Sequence, residues 1–224
     1  ITTTLYTFLS QGDHIVFQSA LYGGTLNFIL RDLNRFGIEY TLVNSTYVKD
    51  FEKAIKDNTR AIYIETPSNP LLSIINMEEM ARLAKSKNII TIIDNTFTSP
   101  VNQNPIDWWM DIVVHSATKY LNGHSDVTAG AVVSTQDKID RILDTARSMG
   151  GSLNAQVCYL LERSLKTLYV RVKTQNKNAM LIARHLESHK KVQKVWYPGL
   201  ESHIGHETAQ KQMNGFGGML SFQP

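Results

Sequence analysis

Cysteine is nearly absent from this sequence, and it contains no long apolar run and no cluster of like charge. The single cysteine among 224 residues, Cys158, excludes an internal disulfide and a cysteine-based metal site, and we expect it to be a small buried hydrophobic residue. No apolar run approaches the roughly 20 residues of a membrane span, so no membrane partner is expected. Lysine and arginine exceed aspartate and glutamate by 23 − 20 = 3, and their scatter argues against a nucleic-acid groove. A cytoplasmic, reducing compartment fits these absences best.

The two ends of the sequence also lack the usual marks of a complete chain. It starts with ITTTLYTFL, without an initiator Met, and stops at GGMLSFQP, directly after a predicted strand. We therefore interpret it as the middle of a longer protein. Its length and its 42% hydrophobic content suffice for one full core and part of a second.

Short apolar runs alternate with amphipathic segments through the first 134 residues. The runs predict strands at 14–19, 38–43, 61–65, 89–94, 111–116 and 130–134. The amphipathic segments predict helices at 25–37, 48–56 and 76–88, the last with Asn76 as its N-cap and Glu79 three residues later. This alternation favours a parallel sheet covered by helices on both faces.

The pattern becomes helical from Gln136 to about Ser188, and 174–189 is its clearest amphipathic helix. Two short strands, in 192–199 and 217–222, are predicted to belong to a second, smaller layer. We place a domain boundary near Leu168. The large domain then covers 1–168, and 169–224 begins a smaller α+β domain.

Polar side chains suited to binding or catalysis follow the predicted strands. In chain order they are Tyr22, Glu65, Asn69, Asp94, Ser116, Thr118 and Lys119. In open parallel sheets, ligands bind at the carboxyl ends of the strands, so we expect these side chains to meet at one edge. Singly, each is explained as a cap, a turn residue or a solvated charge. Together they meet the needs of one cofactor, pyridoxal phosphate (PLP).

PLP requires a lysine amine for a Schiff base and an acidic partner for its pyridinium nitrogen, and Lys119 and Asp94 supply these groups. Its phosphate requires hydroxyl or backbone N–H donors, such as those of Ser116 and Thr118. Its ring requires a flat side chain, such as Tyr22. The set therefore predicts a PLP site at the carboxyl edge of the sheet.

Several longer motifs are spread across nearly the whole chain. They are LYGGT (21–25), ETPSNP (65–70), DNTF (94–97), HSATKYLNGHSD (115–126), LKTL (165–168), and YPGL with GFGGM (197–219). On these motifs the chain resembles the Cys/Met-metabolism family of PLP enzymes, the group of cystathionine γ-synthase, cystathionine γ-lyase and methionine γ-lyase. The resemblance implies an α/β, aspartate-aminotransferase-like (PLP fold type I) large domain with a mostly parallel sheet. It also implies a small amino-acid substrate and a homotetramer built as a dimer of dimers.

The resemblance implies a catalytic set of three residues. Lys119 matches the lysine that holds the cofactor covalently. Asp94 matches the carboxylate that pairs with the pyridinium nitrogen, and Tyr22 matches the tyrosine stacked on the ring.

Four further residues are implied to bind the cofactor or support the site. Ser116 and Thr118 match phosphate ligands, Asn69 matches the residue near the phenolic oxygen, and Glu65 precedes it in a supporting place. A Gly-Met phosphate loop, a Tyr-x-Arg pair from a neighbouring subunit and an arginine for the substrate carboxylate are expected outside residues 1–224. We therefore expect the isolated segment to be inactive or nearly so.

The reaction implied by the resemblance is trans-sulfuration at the γ-carbon of sulfur amino acids or O-acylhomoserine, as in cystathionine γ-synthase or γ-lyase. Methionine γ-lyases usually carry a cysteine at the position of Gly24, and Ser125 favours the cystathionine enzymes. Methionine γ-lyase, O-acetylhomoserine sulfhydrylase and a truncated non-catalytic relative stay open as alternatives. A nucleotide-binding enzyme of dehydrogenase type ranks low because the chain has no G-x-G-x-x-G.

Histidine is the remaining residue type that could bind a metal. The candidates are His115, His124, His203 and His206. Their spacings fit no common ligand pattern, so no metal site is predicted. We expect these side chains to be hydrogen-bonded or at the surface.

Overall fold

A six-stranded sheet forms the centre of the computed structural model, which describes residues 1–224. Its strands are β1 His14–Gln18, β2 Glu39–Val43, β3 Thr59–Glu65, β4 Ile90–Asp94, β5 Ile112–Ser116 and β6 Gly130–Val133. They lie in the order β2-β1-β3-β4-β5-β6, and every neighbouring pair is parallel except β5 and β6. The predicted α/β fold with a mostly parallel sheet is confirmed.

β6 is antiparallel to β5 because no helical crossover separates the two strands. The connection, residues 117–129, forms turns. A parallel return needs a crossover of about a dozen or more residues that is usually helical, so a chain that turns back without one pairs antiparallel. The strand lies at the sheet edge, where mixed sheets commonly carry such a strand.

Helices follow most of the strands. They are α1 Thr2–Phe8, α2 Gly23–Asp32, α3 Val48–Ala54, α4 Met77–Ser86, α5 Ser99–Asn102, α6 Gln136–Met149, α7 Ala155–Leu165, α8 Leu168–Glu187 and α9 His206–Gln212. The predicted helix 25–37 is α2 continued by a 3₁₀ turn, and it ends at Gly37, whose φ of 68° suits a residue without a Cβ. Asn76 caps α4 by accepting a hydrogen bond from the Glu79 N–H at 3.2 Å, as predicted.

The sheet is buried on both faces, since alternate residues of each strand enter two separate hydrophobic clusters. One face buries Val16, Ile62, Ile64, Ile93 and Val113 beneath side chains of α3 and α4. The other face buries Ile15, Phe17, Tyr63, Ile92 and Val114 beneath side chains of α1 and α2. This two-sided burial explains why the strands read as nearly continuous apolar runs.

The last third of the chain packs around α8 and a small antiparallel sheet of β7 Lys194–Trp196 and β8 Ser221–Gln223. A separate cluster joins the two, with Ala179, Ala183, Val195, Tyr197 and Leu200 buried in it. The Tyr197 hydroxyl donates to the Gly217 carbonyl at 2.9 Å. This contact holds the Gly-rich segment against the cluster around α8. α8 begins at Leu168, and the division into two domains there stays a prediction.

Cys158 lies at the surface of α7, so the expectation that it is buried is wrong. The inward side of α7 carries Val157, Leu160, Leu161 and Ser164. Successive helical residues are about 100° apart around the axis, and this turn directs Cys158 away from the packed side. None of the helices combines the length and the apolar character that crossing a membrane requires.

Candidate active site

The carboxyl ends of the central strands border a cavity of about 630 Å³. All seven predicted site residues line it: Tyr22, Glu65, Asn69, Asp94, Ser116, Thr118 and Lys119. The strand ends carry these residues to one edge because β1, β3, β4 and β5 are parallel neighbours. The structure thus brings the whole predicted set together, while the role of each residue stays a prediction.

Glu65, the last residue of β3, ties two walls of the cavity together. Its carboxylate accepts hydrogen bonds from the Tyr22 N–H and the Asn69 N–H, both at 3.0 Å. Its own N–H donates to the side-chain oxygen of Gln18 at 2.9 Å. Burial, assisted by the nearby charge of Asp94, raises the pKa of Glu65 to about 8. A substantial neutral fraction of this carboxyl group is therefore expected near neutral pH.

Asp94, the last residue of β4, is a buried acid in the wall of the cavity. One carboxylate oxygen accepts a hydrogen bond from the Thr96 N–H at 3.0 Å, and the Tyr63 hydroxyl donates to the other at 3.4 Å. Burial raises the pKa of Asp94, and these hydrogen bonds oppose the rise. A cation beside this carboxylate would offset the cost of burying its charge.

Lys119 follows β5 in a tight turn. Its N–H donates to the Ser116 carbonyl at 3.0 Å, and its carbonyl accepts from the Gly123 N–H at 2.7 Å. The side-chain amine takes part in none of the ion pairs of the chain. Lys119 therefore presents an uncommitted amine to the cavity that also contains Asp94.

The two predicted phosphate ligands differ in whether their hydroxyl groups form hydrogen bonds within the chain. The Ser116 N–H donates to the Thr96 hydroxyl at 2.7 Å. The Ser116 hydroxyl itself forms no hydrogen bond within the chain. The Thr118 hydroxyl donates to the Ala129 carbonyl at 3.2 Å and accepts from the Ala129 N–H at 3.0 Å. To bind a phosphate, Thr118 must redirect its proton from that carbonyl.

Sequence reasoning missed two residues close to Asp94. Thr96 links Asp94 to the start of the lysine turn, and Tyr63 contacts the carboxylate from the same sheet face. Signals for both were present, since Thr96 lies in the DNTF motif and Tyr63 precedes Glu65 by two residues, the period of one strand face.

Two further cavity residues, Gln175 and Met219, come from the last third of the chain. A reciprocal pair of amide hydrogen bonds between Asn102 and Asn176, at 2.9 and 2.7 Å, holds that region against α5. These residues are 74 positions apart, so no local sequence pattern could have indicated the contact.

His115 departs from the expectation of a hydrogen-bonded or surface histidine. It is buried on β5 beside Ala131 of the antiparallel edge strand, and its Nδ1 atom has no hydrogen-bond partner. Burial lowers its pKa to about 4, so the ring is neutral near pH 7. The expectation holds for the others, which are hydrogen-bonded: His124, His203 and His206.

The cavity fits the chemical requirements of PLP. It combines the uncommitted amine of Lys119, the buried acid Asp94, the uncommitted hydroxyl of Ser116 and the half-exposed aromatic ring of Tyr22. These groups match the amine, the partner of the ring nitrogen, a phosphate donor and a flat surface. The α/β fold with its mostly parallel sheet is that of the large domain of fold-type-I PLP enzymes.

The family model described as Cys/Met metabolism PLP-dependent enzyme matches residues 1–224. The chain belongs to this family, and the resemblance predicted from its motifs is confirmed. A defining property of the family is its dependence on PLP.

Enzymes named for different reactions are similar to this chain in sequence and fold. The chain is 46% identical to an L-methionine gamma-lyase of Fusobacterium nucleatum, over 100% of this chain and 57% of that protein. It is 46% identical to a cystathionine beta-lyase of Lactococcus lactis, over 96% of this chain and 57% of that protein. The solved cystathionine gamma-lyase of Lactobacillus plantarum, complexed with L-serine, superposes with a TM-score of 0.96 at 42% identity, over 100% of this chain and 59% of that chain. The chain thus spans a little more than half the length of these relatives.

Proposed function

We propose that the full-length protein is a PLP-dependent enzyme of trans-sulfuration that acts at the γ-carbon of sulfur amino acids or O-acylhomoserine, like cystathionine γ-synthase or γ-lyase. The observation that carries the proposal is the uncommitted Lys119 amine, which shares one cavity with the buried acid Asp94. An unpaired amine in the same cavity as a buried acid, at the carboxyl edge of a parallel sheet, suits a covalently held cofactor with a cationic ring nitrogen.

Lys119 has two tasks in this proposal. Its amine holds the cofactor covalently, and after substrate displaces it, the free amine moves protons between carbon atoms of the substrate as a general base and acid. PLP, when bound, supplies an electron-accepting ring that stabilises the negative charge left at the substrate α-carbon. Asp94 keeps the ring nitrogen protonated, because a cation there offsets the cost of burying the carboxylate.

The remaining site residues orient the bound groups. Ser116 and Thr118 donate to the phosphate, and Thr118 keeps the Ala129 N–H as a donor to its oxygen while its own proton turns away from the Ala129 carbonyl. Tyr22 would provide the flat surface for the ring, and Asn69 would interact with its phenolic oxygen. The Glu65 carboxyl group connects these last two residues through their N–H groups and so sets the spacing of the two walls.

Gly24 favours a cystathionine enzyme over a methionine γ-lyase. A Cβ atom at this position would lie 2.6 Å from a ring carbon of Tyr22, so the cysteine usual in methionine γ-lyases would displace the ring. Methionine γ-lyase remains a candidate because of the 46% identity to such an enzyme, and cleavage at the β-carbon is a second candidate on an identity of the same size. O-acetylhomoserine sulfhydrylase and a non-catalytic relative are the remaining alternatives.

Three further features belong to the same proposal. The boundary between the large domain, 1–168, and the smaller domain, from 169 onward, is placed at the start of α8. The family resemblance supports a homotetramer whose sites are completed across subunits. The cytoplasm is the proposed location of the full-length protein.

Cofactor attachment is tested by adding PLP to the full-length protein, reducing with borohydride and mapping the labelled peptide by mass spectrometry. Borohydride converts the link between the lysine and the cofactor into a stable bond, so we expect a pyridoxyl group on Lys119. Lys119→Ala should lose the label and the visible colour, and Lys173→Ala, on the exposed side of α8, should keep both. Colourless wild-type protein without label would refute the proposal.

The reaction is identified by analysing the products formed by the full-length enzyme with PLP bound. Cystathionine cleaved at the γ-carbon yields cysteine and 2-oxobutanoate, whereas cleavage at the β-carbon yields homocysteine and pyruvate. Incubation with methionine alone tests γ-elimination, and incubation with O-acylhomoserine and cysteine tests γ-replacement. Pyruvate as the main product from cystathionine would favour the second candidate.

A further inference from the structure

The guanidinium group of Arg171, on α8, binds the backbone that directly follows the cavity lysine. Its Nη1 donates to the Tyr120 carbonyl at 2.8 Å, and its Nη2 donates to the Leu121 carbonyl at 3.3 Å. Nη2 also donates to the Ser164 carbonyl at 3.0 Å, and Nε donates to the Thr167 hydroxyl at 3.0 Å. All of these acceptors are neutral, and Arg171 forms no ion pair with a carboxylate.

The contact is specific to the guanidinium group. Arginine has several N–H donors in a rigid planar fork, so one side chain can reach carbonyls that point from different directions. A lysine at position 171 has one ammonium group on a flexible stem and could not bind the Tyr120, Leu121 and Ser164 carbonyls in the same geometry.

Gly123 leaves the space that the guanidinium group occupies. Its φ is +75°, and a Cβ atom there would lie 2.0 Å from Nη1 of Arg171. The Gly123 N–H closes the turn by donating to the Lys119 carbonyl at 2.7 Å. Any side chain at this position would therefore compete with Arg171 and strain the turn.

A second contact, made by the neutral side chain of Asn122, anchors the same turn. The buried Asn122 accepts a hydrogen bond from the Ser164 hydroxyl at 3.1 Å, and its amide donates to Asp126 at 2.9 Å. The turn therefore keeps an attachment to α7 when Arg171 is replaced. Loss of Arg171 should alter the local geometry around Lys119 without unfolding the region.

We propose that Arg171 is a positioning residue for Lys119. By holding the Tyr120 and Leu121 carbonyls against α8, it sets the direction from which the Lys119 amine enters the cavity. This inference rests on the proposed function, in which Lys119 carries the cofactor. A covalent anchor that also transfers protons depends on a defined position, because reactivity falls steeply when the reacting atoms are misplaced.

The first test is amide hydrogen exchange in the cofactor-free, full-length protein. The N–H groups of Asn122 and Gly123 bond to the Ala117 and Lys119 carbonyls, so their exchange reports the turn. We expect about tenfold or faster exchange at these two amides in Arg171→Met, and a smaller increase in Arg171→Lys. Lys173→Met, two residues along the helix and cation–π paired with Tyr169, should exchange like wild type.

The second test is the rate at which added PLP becomes attached to Lys119, followed by borohydride trapping and mass spectrometry. Arg171→Met should slow attachment about tenfold, with Arg171→Lys intermediate and Lys173→Met unchanged. Gly123→Ala should slow it in the wild-type background and less in the Arg171→Met background, because the added methyl group then meets no guanidinium.

The outcomes separate positioning from general stability and from failure of the proposed function. Wild-type exchange at the two amides together with wild-type attachment in Arg171→Met would overturn the inference. Faster exchange spread evenly over the chain would also overturn it, because Arg171 would then act only on overall stability. If wild-type protein accepts no label on Lys119, the proposed function fails, and the exchange data still decide whether Arg171 orders the turn.

Discussion

Glu65 makes the unfolding free energy of this protein depend on pH in an unusual direction. The group is 5% exposed, and its pKa is about 8 in the folded protein, against 4.5 for an unperturbed glutamate. Between these two values, the folded protein holds a proton here that the unfolded chain has released. The contribution of Glu65 to the unfolding free energy therefore falls as pH rises, by about 1.4 kcal/mol for each pH unit.

The size of this effect follows from the difference between the two pKa values. The stabilisation is complete below pH 4.5 and is lost as pH rises through about 8. Across that interval the loss attributable to Glu65 is on the order of 5 kcal/mol. The raised pKa of Asp94 acts in the same direction, whereas the lowered pKa of His115 opposes it below pH 6.5, so the wild-type fall should be steepest between pH 6.5 and 8.

Glu65→Gln removes the titratable carboxyl group and leaves the shape of the side chain nearly unchanged. The amide has one acceptor oxygen for the two N–H donors of Tyr22 and Asn69, so one hydrogen bond is lost, at a cost of about 1–3 kcal/mol. The variant should be less stable than wild type near pH 5. Above pH 8 the order should reverse, because only wild type then carries the cost of the buried charge.

Urea unfolding of the cofactor-free protein at intervals from pH 5 to pH 9 measures both profiles. Glu52→Gln, an exposed change on α3, controls for the same substitution at the surface and should follow wild type. Profiles of wild type and Glu65→Gln that stay parallel over this range would refute the assignment of a proton to buried Glu65.

Two further predictions concern His115 and the core. The pKa of His115 is lowered by burial to about 4, so the contribution of this group to the unfolding free energy should fall by up to roughly 3 kcal/mol as pH drops from 6.5 to 4. Glu65 acts in the opposite direction over this interval, so the fall is measured as the difference in unfolding free energy between wild type and His115→Gln; a difference in urea unfolding that stays constant with pH would contradict it. Ile93→Ala, at a fully buried position of β4, should lower the unfolding free energy by about 2–5 kcal/mol, whereas Ile204→Ala, at a position 91% exposed, should change it by less than about 0.5 kcal/mol. Similar values for both would show that burial does not set the cost.

The fold was predictable because its signals are local. The run from 89 to 94 is apolar on both strand faces, and it becomes β4 with both faces covered. The residues at the ends of such strands were predictable as a site because parallel neighbours end at one sheet edge. Glu65 at the end of β3 and Asp94 at the end of β4 pair in register and illustrate this directly.

The environment of each residue was less predictable because it depends on groups that are distant in sequence. Glu65 was expected only in a supporting place, and its two partners include Tyr22, 43 positions away. Thr118 was expected to have a hydroxyl available for phosphate, but Ala129 engages it across the turn. Cysteine is a residue type that is often buried, but Cys158 is exposed because of its angular position around the axis of α7.

By itself, the sequence determined the order of strands and helices, the seven candidate residues and the family, since periodicity and motif spacing are properties of the chain. Only the tertiary structure decided that Lys119 is unpaired and that Asp94 and Glu65 are buried with raised pKa values. It also decided that Arg171 donates hydrogen bonds to the backbone that follows Lys119. The physical reason is that burial, hydrogen bonding and electrostatic interaction depend on distances in space, and the residues that set them here come from strands and helices far apart along the chain.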